Sequence, residues 1–392
     1  MSPRTAVTLV FAANGALFAS WASRVPAFAE RTDASPGTLG LALLGPAVGA
    51  VIAMPIVGRR LPGRSSARFC AVALPGLAAA VVLPGLAPSV ALLALALAAV
   101  GVANGSLDVA MNVQGVTVER RLRRPILSSL HAAFSFGAFA GAGLGAAAAA
   151  ADVAPAPHLL AAAAIFGLPG ALALRGLVPR DDDPDAGARP LPLRRLPRRL
   201  AILGAAAFAC LLAEGASSDW SATLVSGPLG GSQAYGAVVF AVFSAAMGGG
   251  RLLADPLWAR WGAVRLLRRA GALGAAGFGL ALLVGTAPAA LAGFTALGLG
   301  LSGVVPTLFR AAADQPGVAT GPAIAAVSSV GYLGFLAGPP IVGGLAELLG
   351  LRTAAVVLAV ASALVAASAA AAAPPRAAGR PDPRLAARAS AP

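Results

Sequence analysis

Three carboxylates, Asp108, Glu214 and Asp219, stand inside stretches that are otherwise apolar. Asp108 is flanked by Asn104 and Asn112, each four residues away, so the three lie along one face of a helix. An acid inside a lipid-spanning helix is costly and usually faces a bundle interior or a watery cavity. Low dielectric disfavours the charged form of a carboxylate, which makes Asp108 and Glu214 the candidate proton-coupling groups. The membrane potential supplies about 2.3 kcal/mol per charge per 100 mV, enough to drive accumulation of a solute that moves with one proton.

Neutral hydrogen-bonding groups share these neighbourhoods. The first apolar stretch holds Asn14, Ser20, Trp21, Ser23 and Arg24, and the fourth adds Gln114 to its acid and two amides. The seventh holds Glu214, Ser217, Ser218, Asp219, Trp220 and Ser221. If these faces converge, amides and hydroxyls suit a polyhydroxylated ligand, and the indoles of Trp21 and Trp220 can stack on a sugar-like ring. The substrate-binding candidates are therefore Asn14, Trp21, Asn104, Asn112, Ser135, Glu214, Asp219 and Trp220. A structural alternative stands beside this one. The acids pair with Arg24 or with amides, and Asn14, Asn104 and Asn112 make interhelical hydrogen bonds worth ~0.6 to 2 kcal/mol. His131, at a membrane boundary, either relays protons or is merely solvated.

The elements that must position these groups follow from composition. The chain of 392 residues is 58% hydrophobic and 11% charged, far below the roughly one-quarter charged content of soluble domains. Its mean hydropathy is +0.82. The apolar residues come in blocks of about 20, the length that crosses a bilayer core. Such continuous runs, without strand-like alternation, specify a helix bundle and exclude a β-barrel. Twelve spans are predicted: 5–28, 38–58, 69–87, 89–113, 130–150 and 158–178, then 200–224, 233–254, 266–286, 288–310, 322–346 and 352–373. The N-terminus reads as the first of these and not as a removed signal.

Net charge +14 comes entirely from arginine, and the arginines fall in alternate loops, so topology explains them better than nucleic acid does. With the N-terminus inside, the cytoplasm receives Arg59, Arg60, Arg64 and Arg68. It also receives Arg120, Arg121, Arg123 and Arg124, then Arg175 to Arg199, Arg251 to Arg269, Arg310 and the tail. Only Arg24, Arg31 and Arg352 are left outside. Both termini are therefore expected to be cytoplasmic, in the inner membrane. The chain divides into a six-helix half at 1–178, a central cytoplasmic loop at 179–199, a second half at 200–373 and a disordered tail at 374–392. The acid run Asp181, Asp182, Asp183 and Asp185 in the central loop is Pro-broken and reads as solvated linker, not as a calcium site.

The two halves repeat weakly. Asn14-Gly15-Ala16 followed by Trp21 has its counterpart in Glu214-Gly215-Ala216 followed by Trp220, and Ser135-Phe136-Gly137 in Ser329-Val330-Gly331. Transporters built from such halves bind substrate at the interface near mid-membrane. Ala133, Gly137, Gly141 and Gly145 make a flat face for close helix packing. Cys70 and Cys210 read as small core hydrophobes. No lysine exists for a phosphate loop, and no zinc spacing, nucleophile elbow or catalytic dyad is present, so neither enzyme chemistry nor a cofactor is expected.

On this pattern the sequence resembles the major facilitator superfamily. Gly250-Arg-Leu-Leu-Ala-Asp255-Pro-Leu-Trp-Ala-Arg260-Trp-Gly262 is similar to its loop signature, which makes Gly250, Asp255 and Arg260 a candidate gating loop after the eighth span. The first-half copy, Gly58-Arg-Arg-Leu-Pro-Gly-Arg64, lacks the acid. Asp108-Val-Ala-Met-Asn112 resembles the acid-x-x-x-Asn pattern of the fucose-permease branch, which implies proton coupling through the acid. Three further runs resemble a subgroup with rhizopine-transporter-like members: Glu214 to Ser221, Ser128 to Gly137, and Gly334 to Pro340. The expectation is a monomeric twelve-helix symporter taking up a small sugar- or polyol-like solute with protons. The alternative is a proton-driven exporter of amphipathic or cationic compounds.

Overall fold

The computed structural model describes residues 1–60, 65–123, 126–180, 196–318 and 320–374. The acid run of the central loop, Arg64, Arg124 and the tail from 375 onward lie outside these residues. Among the described residues the protein is helical, with no strand.

Eleven helices are long and apolar enough to cross a membrane, and one of them, Gln233–Val284, has 52 residues. At 1.5 Å per residue that helix would be about 78 Å long, more than twice the hydrocarbon core. Gly262 resolves the discrepancy. Its φ of 72° and ψ of 166° interrupt the helical path, in a region that suits a residue without Cβ. The chain turns there and crosses twice, which gives the twelve expected spans.

In order they are α1 (Pro3–Ala22), α2 (Pro36–Ala42 and Gly45–Arg60), α3 (Ser66–Ala80 and the 3-10 turn Leu83–Leu86) and α4 (Val90–Leu122). They continue with α5 (Leu127–Ala150), α6 (Pro155–Gly176), α7 (Arg198–Ser226), α8 (233–261) and α9 (263–284). The last are α10 (Ala287–Ser302 and Val304–Ala313), α11 (Thr320–Leu349) and α12 (Leu351–Ala372). A short helix, Val25–Thr32, follows α1.

The expected boundaries need two corrections. α4 runs two turns past residue 113, through the charged residues Glu119 to Arg121, because a helix leaving lipid continues wherever its ends are satisfied. The Glu119 carboxylate meets that need next door, accepting from the N–H groups of Ile126 (2.7 Å) and Leu127 (3.0 Å) at the start of α5. α8 likewise runs seven residues past 254, so the stretch read as a gating loop is helix.

Side chains close several other helix ends. The hydroxyls of Ser2, Ser35, Ser89, Ser232 and Thr286 each accept from the N–H three residues on. All three arginines expected outside are spent on terminal carbonyls. Arg24 donates to Val153 just after α5, Arg31 to Gly85 at the end of α3, and Arg352 to Leu282 and Leu283 at the end of α9.

Small residues set how closely the helices approach. A Cβ at Gly137 would collide with the Ala12 carbonyl, and one at Gly141 with that of Ala16, so α5 lies flat on α1 through the predicted glycine face. In the second half, a Cβ at Gly334 would collide with the Phe208 carbonyl, and α11 lies on α7 in the same way. Gly49 of α2 against Ala98 of α4, and Gly298 of α10 against Phe243 of α8, repeat the correspondence. The two six-helix halves are thus alike in packing as well as order.

Between the halves, α5 packs along α8 and the outer part of α2 packs on α11. The face opposite the chain termini is closed. Gln233 donates to Glu30 (2.7 Å), the Gly37 N–H donates to Glu347 (2.7 Å), and Gly40 touches Pro339 and Gly343 backbone. A Cβ at Gly40 would lie 2.8 Å from the Pro339 carbonyl oxygen. Gly40→Val is therefore expected to prevent closure of this face. A cysteine placed at position 219 should then become reactive to an impermeant maleimide added from that face, and continued protection would contradict the close approach.

Candidate functional site

Arg251 is the centre of the polar interior. It sits on α8 with 16% of its side chain accessible, and its Nη2 donates to Glu214 Oε1 on α7 at 3.0 Å. Its Nη1 donates to Ser135 Oγ at 2.6 Å and to the His131 carbonyl at 3.4 Å, both on α5. One guanidinium therefore holds an acid of its own half and two acceptors of the other. A planar cation with several donors in fixed directions suits such a crossing better than an ammonium does. The small residue one turn earlier, Gly248, lets α8 approach Ser135 and Phe136 closely enough for the bonds to form.

The second constellation is on α4. Asn112 Nδ2 donates to the Asp108 backbone carbonyl (2.8 Å) and to Asp108 Oδ1 (3.2 Å), as the four-residue spacing requires. Across the interface, the Tyr332 phenol of α11 meets the Asp108 carboxylate and is within electrostatic reach of Glu214. Tyr332 is nonetheless 44% exposed. A residue set between acids of both halves cannot owe that exposure to lipid, so a cavity separates the halves there. Ala325, Ser329 and Tyr332 form one exposed face of α11, whereas Pro339 and Gly343 further along are covered by α2. The cavity accordingly opens toward the face carrying the termini.

Not every predicted residue belongs to this cavity. Trp21 is fully buried, edge-on to Phe18 at 5.2 Å, and Trp220 packs beneath Gly40 and Gly343 in the closed face. Neither indole offers a stacking surface here. Asn14 is buried and donates to Met111 Sδ (3.5 Å), which ties α1 to α4. Asn104 is half-buried, and its carbonyl oxygen has no partner among the described residues. Asp219 is buried five residues beyond Glu214 toward the closed face, without a hydrogen-bond partner among the described residues. Among the described residues Arg24 pairs with none of the acids. His131 packs its ring edge-on to Phe11 (5.4 Å) and lends the site its carbonyl.

The gating-loop residues also depart from expectation. Gly250 lies inside α8, close against Ser302 of α10, and Arg260 is exposed at the helix end. Asp255 pairs not with Arg260 but with Arg310 of α10, whose guanidinium also lies 5.0 Å over the Trp258 ring. In a helix Asp255 and Arg260 are five residues apart and point to different sides, which leaves the acid to a neighbouring helix.

Two residues of the cavity were missed. By sequence Arg251 reads as a topology marker because it stands near the end of an apolar run, yet three apolar residues separate it from the next polar group, Asp255. That isolation inside apolar sequence was the available signal. Tyr332 carries no charge, and its mid-helix position among Gly and Leu gave only a faint one.

The sequence profile of the Major Facilitator Superfamily matches residues 6–321. A Sinorhizobium fredii protein named as an uncharacterized transporter, y4wD, is 36% identical over 354 residues, 90% of this chain and 93% of its own length. An MFS-type transporter of Yersinia pestis is 33% identical over 90% of this chain and 91% of itself. The membrane protein MosC of Rhizobium meliloti is 30% identical over 89% of this chain and 85% of itself. Among solved structures, the nucleoside transporter NupG superposes with a TM-score of 0.71 at 13% identity, covering 95% of this chain and 99% of that one. An inward-facing, unoccupied bacterial homolog of the lysosomal transporter Spinster superposes with a TM-score of 0.71 at 15% identity, covering 94% and 96%. Twelve spans in two like halves around a polar cavity, with relatives aligned over most of their length, make this chain an integral membrane transporter of the Major Facilitator Superfamily and not an enzyme.

Proposed function

We propose that this transporter takes up a small polar solute, sugar- or polyol-like, together with protons, by alternating access in the inner membrane. The observation that carries the proposal is the division of charge in the cavity. Glu214 has a cation against it, Arg251, whereas among the described residues Asp108 faces the neutral groups of Asn112 and Tyr332 and no cation. An uncompensated carboxylate is costly in a low-dielectric site, and a proton is the simplest compensation. The proton-carrier role then falls to Asp108, and Glu214 with Arg251 presents donors and acceptors to solute hydroxyls. Asn112 orients the Asp108 carboxylate, and Ser135 holds Arg251 against the first half.

The alternating cycle follows from the same contacts. By the arginine distribution the termini face is cytoplasmic, so the conformation described is open inward. Residues 1–178 and 200–373 rock as two bodies linked by the 179–199 loop, and Asp219 becomes accessible when the opposite face opens. A single chain contains the whole site, which is consistent with a working monomer. The Asp108–Asn112 pattern supports assigning the chain to the fucose-permease-like branch.

A thermal-shift panel on detergent-purified protein tests the solute class. A ligand bound only to the folded protein stabilises it by about 2.7 kcal/mol at a hundred times its Kd. Stabilisation by sugars, inositols or amino sugars, lost in Glu214→Gln, is the expected result. Stabilisation confined to lipophilic cations would overturn uptake of a polyol and favour export.

A further inference from the structure

At the termini face, remote from the cavity, the corner between α8 and α9 carries an unusual surface. Arg260, Arg265, Arg268 and Arg269 cluster around the Gly262 turn, and Arg310 reaches in from α10. Two tryptophans stand among them. Arg269 lies 4.5 Å over the Trp261 ring and Arg310 lies 5.0 Å over Trp258. The acids nearby are Asp255, which pairs with Arg310, and Asp314. Arg265 has no acid partner among the described residues, so the corner keeps a positive excess.

The corner also holds a half-open pocket of about 290 Å³, lined by Trp258, Trp261, Arg265, Arg310 and Asp314 and bordered by the end of α12. Gly262 leaves space beside its Cα where a side chain would otherwise stand. Tryptophans at the end of a spanning helix mark the headgroup level, amphipathic rings being favoured there. Leu252 and Leu253, one to two turns toward the membrane core on α8, are more than half exposed. The geometry points to a binding site for the phosphate-bearing headgroup of an anionic phospholipid, with Arg265 and Arg269 contacting the phosphate and the acyl chains running along α8.

Each element of the surface answers to one part of such a ligand. Guanidinium donors match phosphate oxygens in pairs. The indole faces fix the arginine planes through cation–π contact. The exposed leucines favour a lipid over free phosphate, because a soluble anion has no apolar portion to cover them. The inference needs only that the chain spans a membrane and does not depend on which solute the cavity carries.

Native mass spectrometry of delipidated full-length protein, titrated with phosphatidylglycerol and separately with phosphatidylcholine, tests it. The wild type should bind the first phosphatidylglycerol more tightly than phosphatidylcholine, and equal affinity would overturn the site. Arg265→Gln combined with Arg269→Gln should weaken phosphatidylglycerol about thirtyfold, at about five- to sixfold per arginine, and leave phosphatidylcholine unchanged. The exposed pair Arg68→Gln and Arg198→Gln on the same face should not have this effect. Undiminished phosphatidylglycerol binding in the first double variant would contradict the assignment. Displacement of phosphatidylglycerol by millimolar inorganic phosphate would likewise overturn the lipid assignment and identify a free-phosphate site.

Discussion

Asp108→Asn is expected to abolish proton-driven accumulation while leaving solute exchange intact. One proton moving down 100 mV contributes about 2.3 kcal/mol, which converts to a roughly fiftyfold concentration ratio. The amide is nearly isosteric with the carboxyl and can still meet Asn112 and Tyr332, but it cannot cycle a proton. The solute should therefore equilibrate across proteoliposome membranes in Asp108→Asn and stop at a ratio near one. Counterflow of preloaded solute should continue, since the pair proposed to bind solute, Glu214 and Arg251, is untouched. Both rates falling together would mean that Asp108 holds solute and not a proton. Accumulation at the wild-type level would remove Asp108 from coupling altogether.

The second large effect belongs to the ion pair. Arg251→Met leaves the Glu214 carboxylate facing the cavity without its cation and also removes two donors to α5. Breaking one side of a buried pair costs 3–5 kcal/mol. Both side chains keep about one-sixth of their surface open to the cavity, so about 3 kcal/mol is the appropriate end of that range here. Arg251→Met combined with Glu214→Met should recover most of that stability, because well-packed apolar replacements remove the uncompensated charge. Solute binding should stay lost in the double variant. The check is thermal unfolding in detergent together with equilibrium binding. A double variant as unstable as the single one would show that Arg251 acts through Ser135 and the His131 carbonyl instead of through Glu214.

These two residues illustrate what could be read from the chain in advance. Asp108 and Asn112 were legible as a pair because four-residue spacing on a helix is a geometric constraint that tertiary structure cannot undo. Glu214 was legible because acids are rare in apolar spans. Its partner was not, since an arginine near the end of an apolar run looks the same whether it ends the span or lies within it. Helix α8 supplies the answer by continuing to residue 261, where Gly262 ends it. The tryptophans mislead in the opposite sense. Trp21 and Trp220 stand near polar residues in sequence, but an indole buries so much apolar surface that packing claims it. In the fold, the predicted glycine face of α5 meets α1 as expected, because helix crossings of this closeness tolerate no Cβ. Which helices would cover one another at the closed face was beyond the sequence. It depends on Gly40 packing against Pro339 and Gly343, about 300 positions away, with no pattern linking them.

The most direct test of the central claim is proton movement accompanying downhill solute entry. Proteoliposomes in weakly buffered medium, with a pH indicator outside and no imposed gradient, are given the stabilising polyol or sugar identified by thermal shift. Coupling through Asp108 predicts alkalinisation of the medium in step with solute entry in the wild type, and entry without alkalinisation in Asp108→Asn. Wild-type entry with no change in external pH would contradict the proton-coupled account.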